Sequence, residues 1–142
     1  MTSDFTDDAA RIDRSLADSK TIALIGASAN PERPSYQVMS YLLAHDYQVI
    51  PVNPGLAGKP LLGQLCYGKL SDIPVSVDMV DVFRQSEVCL AIAQEAIEIG
   101  ARYFWMQIGV INDDAMALAQ SAGLIAVQDK CTKIEHALRN QA

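Results

Sequence analysis

The sequence predicts an α/β fold: one Rossmann-type domain with a five-stranded, mostly parallel sheet and helices on both faces. Three observations predict it. Five short apolar runs recur along the 142 residues. Segments of helical periodicity lie between most of them. Loops dense in glycine, proline, asparagine and serine follow several of the runs. Strands that alternate with helices of ten or more residues need crossover connections, and hence a parallel sheet. Right-handed crossovers then give a doubly wound sheet, expected in the order 3-2-1-4-5.

Residues 4–18 form an amphipathic helix in this reading, with Ile12 and Leu16 one turn apart and Asp7 and Asp8 in the first turn. Residues 1–19 are thus an N-terminal helix packing on a domain of residues 20–142. The first strand is TIALIG (21–26), fully buried by its unbroken apolar character. A Pro- and Asn-rich loop leads to a helix capped by Ser35, with Val38, Tyr41 and Leu42 on one face. QVIPV (48–52) is the second strand and ends in the turn signal Asn53-Pro54-Gly55. Residues 55–70 show little periodicity and read as an extended connection, with a brief helix near 70–73.

VDMVDVF (77–83) is the third strand. Ser86 is the expected cap of the next helix, which stops at Gly100. RYFWMQ (102–107) is the fourth strand. Asn112 caps a helix with Asp113 and Asp114 in its first turn and Gly123 past its end. LIAVQ (124–128) is the fifth strand, and a last helix covers about 132–139.

Composition narrows the function. Half the residues are hydrophobic and a fifth are charged, which suffices for a real core. The net charge of −6 argues against a general nucleic-acid or acidic-membrane surface. It leaves room for a small anionic ligand, because local cations and helix N-termini decide that. Cys66, Cys89 and Cys131 form no CxxC pair, and two histidines do not complete a zinc site at the usual spacing. An odd, scattered set reads as reduced thiols in a cytoplasmic protein. The first twenty residues lack the basic start and apolar run of a signal peptide, and no apolar stretch is long enough to span a bilayer.

In an open parallel sheet the ligand sits beyond the carboxyl ends of the strands, at the switch point, here expected between strands 1 and 4. Five loops reach that edge: 26–35, 53–60, 83–86, 107–112 and 128–132. The first carries the clearest chemistry. Gly26 permits a tight turn, a helix N-terminus follows, and Ser28, Arg33 and Ser35 add donors. That suits a phosphate; the alternative is that Gly26 only turns the chain and Ser35 only caps a helix. A nicotinamide dinucleotide is disfavoured. Ser28 replaces the second glycine of the G-x-G-x-x-G fingerprint, and strand 2 ends in Val52-Asn53-Pro54 with no carboxylate for the ribose.

Taken together, IALIGAS, the RPSY at 33–36, YQVIPVNP, VDMVDVFR, GARYFWMQIGV and DKCTKIEHALR carry a resemblance. From about Lys20 to Arg139 the chain resembles the small stand-alone CoA-binding proteins, whose domain is shared with the α-subunit of succinyl-CoA synthetase. The resemblance implies a domain that holds the ADP portion of coenzyme A. By position, Gly26, Ala27, Ser28, Arg33, Pro34 and Ser35 would face the pyrophosphate. Val52, Asn53 and Pro54 would lie along the adenosine, with Lys59 available for a phosphate. Phe83 and Arg84 would close over the nucleotide. Trp105, Met106, Gln107 and Gly109 would lie near the pantetheine path, although a core role suits Trp105 better. The visible departure is Asp46, where such chains often carry a glycine.

The implied function is a non-catalytic module binding CoA or an acyl-CoA, with a small-molecule ligand, no nucleic acid and no membrane as partners, and room for a homodimer. The alternatives are an NAD(P)-binding oxidoreductase and the CoA-binding half of an acyl-CoA ligase that needs a partner subunit. In the synthetase the phosphorylated histidine belongs to a further domain, for which this length leaves no room. His45 reads as a helix-end residue, and Glu135 and His136, adjacent on a helix, point in different directions. Cys131 falls on the functional edge without an evident activating base. Cys89 reads as core, and Cys66 as partly exposed in the connection.

Overall fold

The computed structural model describes residues 7–140. Five parallel strands make the main sheet: β1 Thr21–Ile25, β2 Gln48–Val52, β5 Met79–Val82, β6 Tyr103–Met106 and β7 Ile125–Val127. Two shorter strands, β3 Pro60–Leu61 and β4 Gln64–Leu65, form a separate antiparallel hairpin. The helices are α1 Asp8–Asp18, α2 Pro34–Ala44, α3 Cys89–Glu98, α4 Asp113–Ser121 and α5 Thr132–Arg139. The expected five strands and five helices are all present. Residues 4–6 of the expected first helix lie outside the described residues.

The doubly wound parallel class holds, but its order is β2-β1-β5-β6-β7. Counted over the five main strands this is 2-1-3-4-5, which corrects the expected 3-2-1-4-5. Pro51 supplies the physical reason. Its residue pairs in register with Leu24 of β1, while its carbonyl oxygen turns outward and accepts from the Tyr67 N–H at 3.0 Å. In a parallel ladder the N–H and C=O of one residue point the same way, so the missing proline N–H also lies on the outer side. A strand placed there would lose a ladder bond, which suits β2 to an edge. Residues 53–78 also contain no crossover α-helix. They form a 3-10 turn at Pro54–Leu56, the hairpin, and a second 3-10 turn at Leu70–Asp72 near the expected brief helix. Leu62 and Gly63 make the hairpin turn with φ of 49° and 78°, a turn that periodicity does not reveal.

Right-handed crossovers leading in opposite directions from β1 and β5 put their helices on opposite faces. Strand alternation then divides the core in two. Ala23, Ile25, Val80, Val82, Phe104 and Met106 pack under α3 and α4. Ile22, Leu24, Met79, Tyr103 and Trp105 pack under α1 and α2 with Ile12, Leu16, Val38, Met39 and Leu42. Trp105 is fully buried and donates its indole N–H to the Lys130 carbonyl at 2.9 Å, the core role expected of it. Cys89 is buried as expected; Cys66 is buried too, contrary to expectation, its thiol lying against the Asn53 and Tyr67 carbonyls at 3.8 Å each. Burial pushes the Cys66 thiol up.

Local chemistry sets several boundaries. Asp7 caps α1 by accepting from Ala10 N at 2.8 Å, and Asn112 caps α4 through Ala115 N at 2.9 Å. Two expected caps are corrected. Arg33 is the cap residue of α2, with Pro34 in the first turn and Ser35 already helical. Ser86 opens a short 3-10 turn, and its hydroxyl accepts from Ile111 N at 3.0 Å instead. Asp46 holds φ +73°, the left-handed turn that a glycine would make more easily. At the amino edge of the sheet, Asp78 accepts from the backbone N–H groups of Lys20 and Thr21 at 2.9 and 3.0 Å, and Arg102 pairs with both Asp78 and Asp18.

Gly26 has φ +88°, and a Cβ there would lie 2.4 Å from the Phe83 carbonyl oxygen. Gly26→Ala therefore adds left-handed strain and a backbone clash between β1 and β5, an expected loss of about 2–4 kcal/mol. Urea unfolding followed by circular dichroism measures it. A loss below about 1 kcal/mol would show that the two strand ends part easily.

Candidate functional site

With β1 and β5 adjacent, the switch point falls between them rather than between the first and fourth main strands. The turn after β1 is pinned from two sides. Gly26 N and Ala27 N donate to the Val52 carbonyl at 3.1 and 3.3 Å, and Phe83 N donates to the Ile25 carbonyl at 2.8 Å. Asn53 braces it further, donating from Nδ2 to the Ala27 carbonyl at 2.7 Å and accepting from Gly55 N at 2.8 Å. Its amide is thus engaged in holding loops together.

Two clefts open at this edge, one on each side of the Gly26 turn. The larger encloses about 810 Å³ and is lined by Gly26, Ala27, Ser28, Arg33, Pro34, Ser35, Asn53, Phe83, Arg84 and Gln107 from the expected set. The second encloses about 660 Å³ and includes Val52, Pro54 and Lys69. Gly26, Asn53 and Arg84 line both. Clefts of roughly 300–1,000 Å³ suit small-molecule ligands.

Twelve of the fifteen expected site residues line one or both clefts. Lys59, Met106 and Gly109 do not. Lys59 is exposed beside the hairpin, and Lys69 is the ammonium at the second cleft. Met106 is fully buried under α3 and α4 because strand alternation turns it from the cleft. Gly109 spends its N–H on Asp129 at 2.8 Å. The structure adds Gln85, Ile108, Val110 and Ile134 to the larger cleft, and it brings Cys131 there as well. Ile108 follows Gln107 in its loop and Ile134 follows Lys133 in the first turn of α5, so no apolar run marks them.

The electrostatics favour an anion. Among the described residues Arg33 and Arg84 have no carboxylate partner, whereas Arg102 and Arg139 are ion-paired. The N-terminus of α2 carries no side-chain cap and opens at the same cleft. Ser28 Oγ accepts from Asn30 N at 3.1 Å, which shapes the loop that leads to it. Pro34 has no N–H, and Tyr36 N and Gln37 N donate to the Arg33 carbonyl, so the Ser35 N–H and the two guanidiniums are the donors available to a phosphate.

Beneath the larger cleft lies a buried polar triad. Gln107 Nε2 donates to Asp81 Oδ1 at 2.6 Å and to Thr132 Oγ1 at 3.1 Å, and Thr132 Oγ1 donates to Asp81 Oδ2 at 3.0 Å. Burial pushes the Asp81 carboxyl up to about 7, against the pull of those two hydrogen bonds. Sequence reasoning missed Asp81 and Thr132. The available signal was an aspartate inside the apolar run of strand 3. The histidines are elsewhere: His136 meets Tyr41 Oη at 2.8 Å, and His45 stacks on Tyr41. Among the described residues no group of three or more His, Cys, Asp or Glu is placed to hold a metal ion, and no helix is long and apolar enough to cross a membrane.

Known proteins share this architecture. Residues 20–137 match the family described as CoA binding domain. The protein YneT of Bacillus subtilis (strain 168) is 36% identical over 129 residues, 91% of this chain and 94% of that one. A hypothetical protein from Pyrococcus horikoshii OT3 superposes with a TM-score of 0.87 at 39% identity, covering 96% of this chain and 94% of that chain. A dinucleotide-forming acetyl-coenzyme A synthetase 1 from Ca. Korarchaeum cryptofilum, in complex with phosphate and ADP, superposes with a TM-score of 0.69 at 25% identity. That match covers 80% of this chain and 26% of the synthetase chain.

The raised Asp81 carboxyl makes stability depend on pH. Between about pH 4 and pH 7 the folded chain holds a proton that the unfolded chain releases, so this contribution is full below pH 4 and is lost as pH rises through 7. Asp81→Asn removes the dependence. Relative to wild type it should gain on the order of 2–4 kcal/mol at pH 8, and the gain should shrink steadily towards pH 5. Urea unfolding of both proteins at pH 5, 6.5 and 8 measures this; a difference constant with pH would contradict it.

Proposed function

The chain belongs to the CoA-binding domain family, and on that premise we propose that the clefts at the β1–β5 switch point hold coenzyme A or an acyl-CoA. In this reading the protein is a binding or sensing module that performs no chemistry of its own. One observation carries the placement. In a chain of net charge −6, two guanidiniums without carboxylate partners among the described residues, Arg33 and Arg84, stand at the Gly26 turn. A pyrophosphate beside Gly26 would meet them together with the open N-terminus of α2. The adenosine would extend past Val52, Asn53 and Pro54, and the pantetheine arm past Gln107. Ile108, Val110 and Ile134 offer apolar contact for the arm or an acyl group.

The synthetase superposition favours a second reading, in which this chain is the CoA-binding part of a ligase completed by a separate subunit. Co-purification of an ATP-grasp ligase subunit with the tagged protein from its own cells would favour that reading over the stand-alone module. A homodimer and a cytoplasmic setting complete the proposal, and a dimer mass by sedimentation at micromolar concentration tests the former.

CoA should raise the melting temperature, and NAD at equal concentration should do so far less; the reverse order would overturn the proposal. Arg84→Ala should weaken CoA binding by about 1.5–3 kcal/mol, the range for hydrogen bonds to charged groups. Arg84→Lys should recover only part, since lysine lacks the planar fork. Dephospho-CoA assigns the contact. Equal binding by wild type and Arg84→Ala places Arg84 on the 3′-phosphate, and a loss with both ligands places it on the pyrophosphate. Calorimetric titration of folded proteins at fixed salt reads all of these. Unchanged affinity of Arg84→Ala for both ligands would remove Arg84 from the site.

A further inference from the structure

Gln107 is 4% exposed, yet it lines the larger cleft. Its Nε2 donates inward to Asp81 and Thr132, which uses both protons of a primary amide. Its Oε1 has no hydrogen-bond partner among the described residues and is not among their fully enclosed unpaired atoms. The cleft is the direction left to it.

The charge state of Asp81 bears on which end of that amide can face the cleft. A carboxylate only accepts hydrogen bonds, so it requires the NH2 group of Gln107 inward and the carbonyl oxygen outward. A protonated carboxyl can donate as well as accept, and it tolerates either orientation. Among the described residues no other charged group hydrogen-bonds to Gln107 or Asp81; Arg33 and Arg84 line the same cleft and would favour the same outward carbonyl. Leu24 of β1 and Trp105 of β6 flank Asp81 in the ladder, and its polar partners are Gln107 and Thr132 alone. The titratable groups on the packed elements are engaged elsewhere: on α5, Glu135 pairs with Arg139, His136 meets Tyr41 of α2, and Lys133 lies over the Tyr41 ring. On β6 the Tyr103 hydroxyl donates to Asp18.

We infer that Asp81 is a positioning residue, which holds the Gln107 amide so that Oε1 accepts a hydrogen bond from an N–H donor in the ligand. This rests on the reading of the cleft as a CoA site, because the pantetheine arm carries two secondary amides and hence two such donors. Asp81 never touches the ligand. It sets the polarity that the cleft presents, and it does so only while ionised. Because burial brings its titration to about pH 7, the arm is held firmly on the alkaline side of neutrality and more loosely on the acid side.

The test compares dephospho-CoA with ADP-ribose, which has the adenosine and pyrophosphate but no amide arm. Both pyrophosphates stay ionised between pH 6 and pH 7.8. Calorimetry should show wild type binding dephospho-CoA about two- to five-fold more weakly at pH 6 than at pH 7.8, since acidification lowers the fraction of molecules with the competent amide. ADP-ribose should change by less than about 1.5-fold. Asp81→Asn should bind dephospho-CoA equally at both pH values, near the wild-type affinity at pH 6. A pH dependence retained in Asp81→Asn, or shared by ADP-ribose, would overturn the inference, as would binding of dephospho-CoA by wild type with no pH dependence. The two-ligand comparison on wild type needs no variant to fold. Failure of wild type to bind either CoA or dephospho-CoA at both pH values would overturn the CoA reading and this inference with it.

Discussion

A methyl group on Gly26 would sit 2.4 Å from the carbonyl oxygen of Phe83, so the ends of β1 and β5 meet backbone to backbone. That approach decides the rest of the carboxyl edge. It sets Arg84 beside the turn that leads to α2, and the Val52 carbonyl locks the turn from the other side. The crossovers that leave β1 and β5 in opposite directions open a cleft on each flank. Loosening the contact would separate Arg33 from Arg84 and dissolve the cationic rim between them.

Charge is distributed by edge rather than by total. At the amino edge Arg102 is consumed, bridging Asp18 and Asp78, and hydrogen bonds hold both carboxyls below their usual range. For Asp18 the largest influence is the Tyr103 hydroxyl. For Asp78 burial pushes upward, and the N–H groups of Thr21 and Lys20 together with the Arg102 guanidinium outweigh it. Among the described residues Arg33 and Arg84 at the carboxyl edge lack carboxylate partners, while the one buried carboxylate, Asp81, is screened from the cleft by Gln107. An acidic chain can thereby present a locally positive pocket, because a field in a cleft depends on the nearest charges.

The elements were legible because each rests on short-range rules. Apolar runs and helical spacing marked the five main strands and five helices. Asn112 announced a cap, and Gly26 marked the turn at the site. The small hairpin escaped because its strands are two residues each, too short for periodicity to register. Most of the candidate site was legible through strand-end position. Lys59 misled because sequence separation says nothing about where the hairpin turns, and Lys69 stands nearer the second cleft. Met106 misled because alternation, not proximity to the strand end, decides which face a side chain takes.

By itself the sequence determined that this is a doubly wound α/β domain, and it marked the loop after the first strand as the candidate ligand edge. Local patterns of burial, capping and turn chemistry suffice for that. It even contained the edge-strand signal in Pro51, although the meaning depends on which side of β2 the missing N–H faces. Only the tertiary structure decided that β5 lies beside β1, and that Asp81, Gln107 and Thr132 meet from two adjacent strands and a helix start. These contacts join residues 25 to 51 positions apart. Their formation depends on strand order and on the direction of each side chain, quantities that no local pattern encodes.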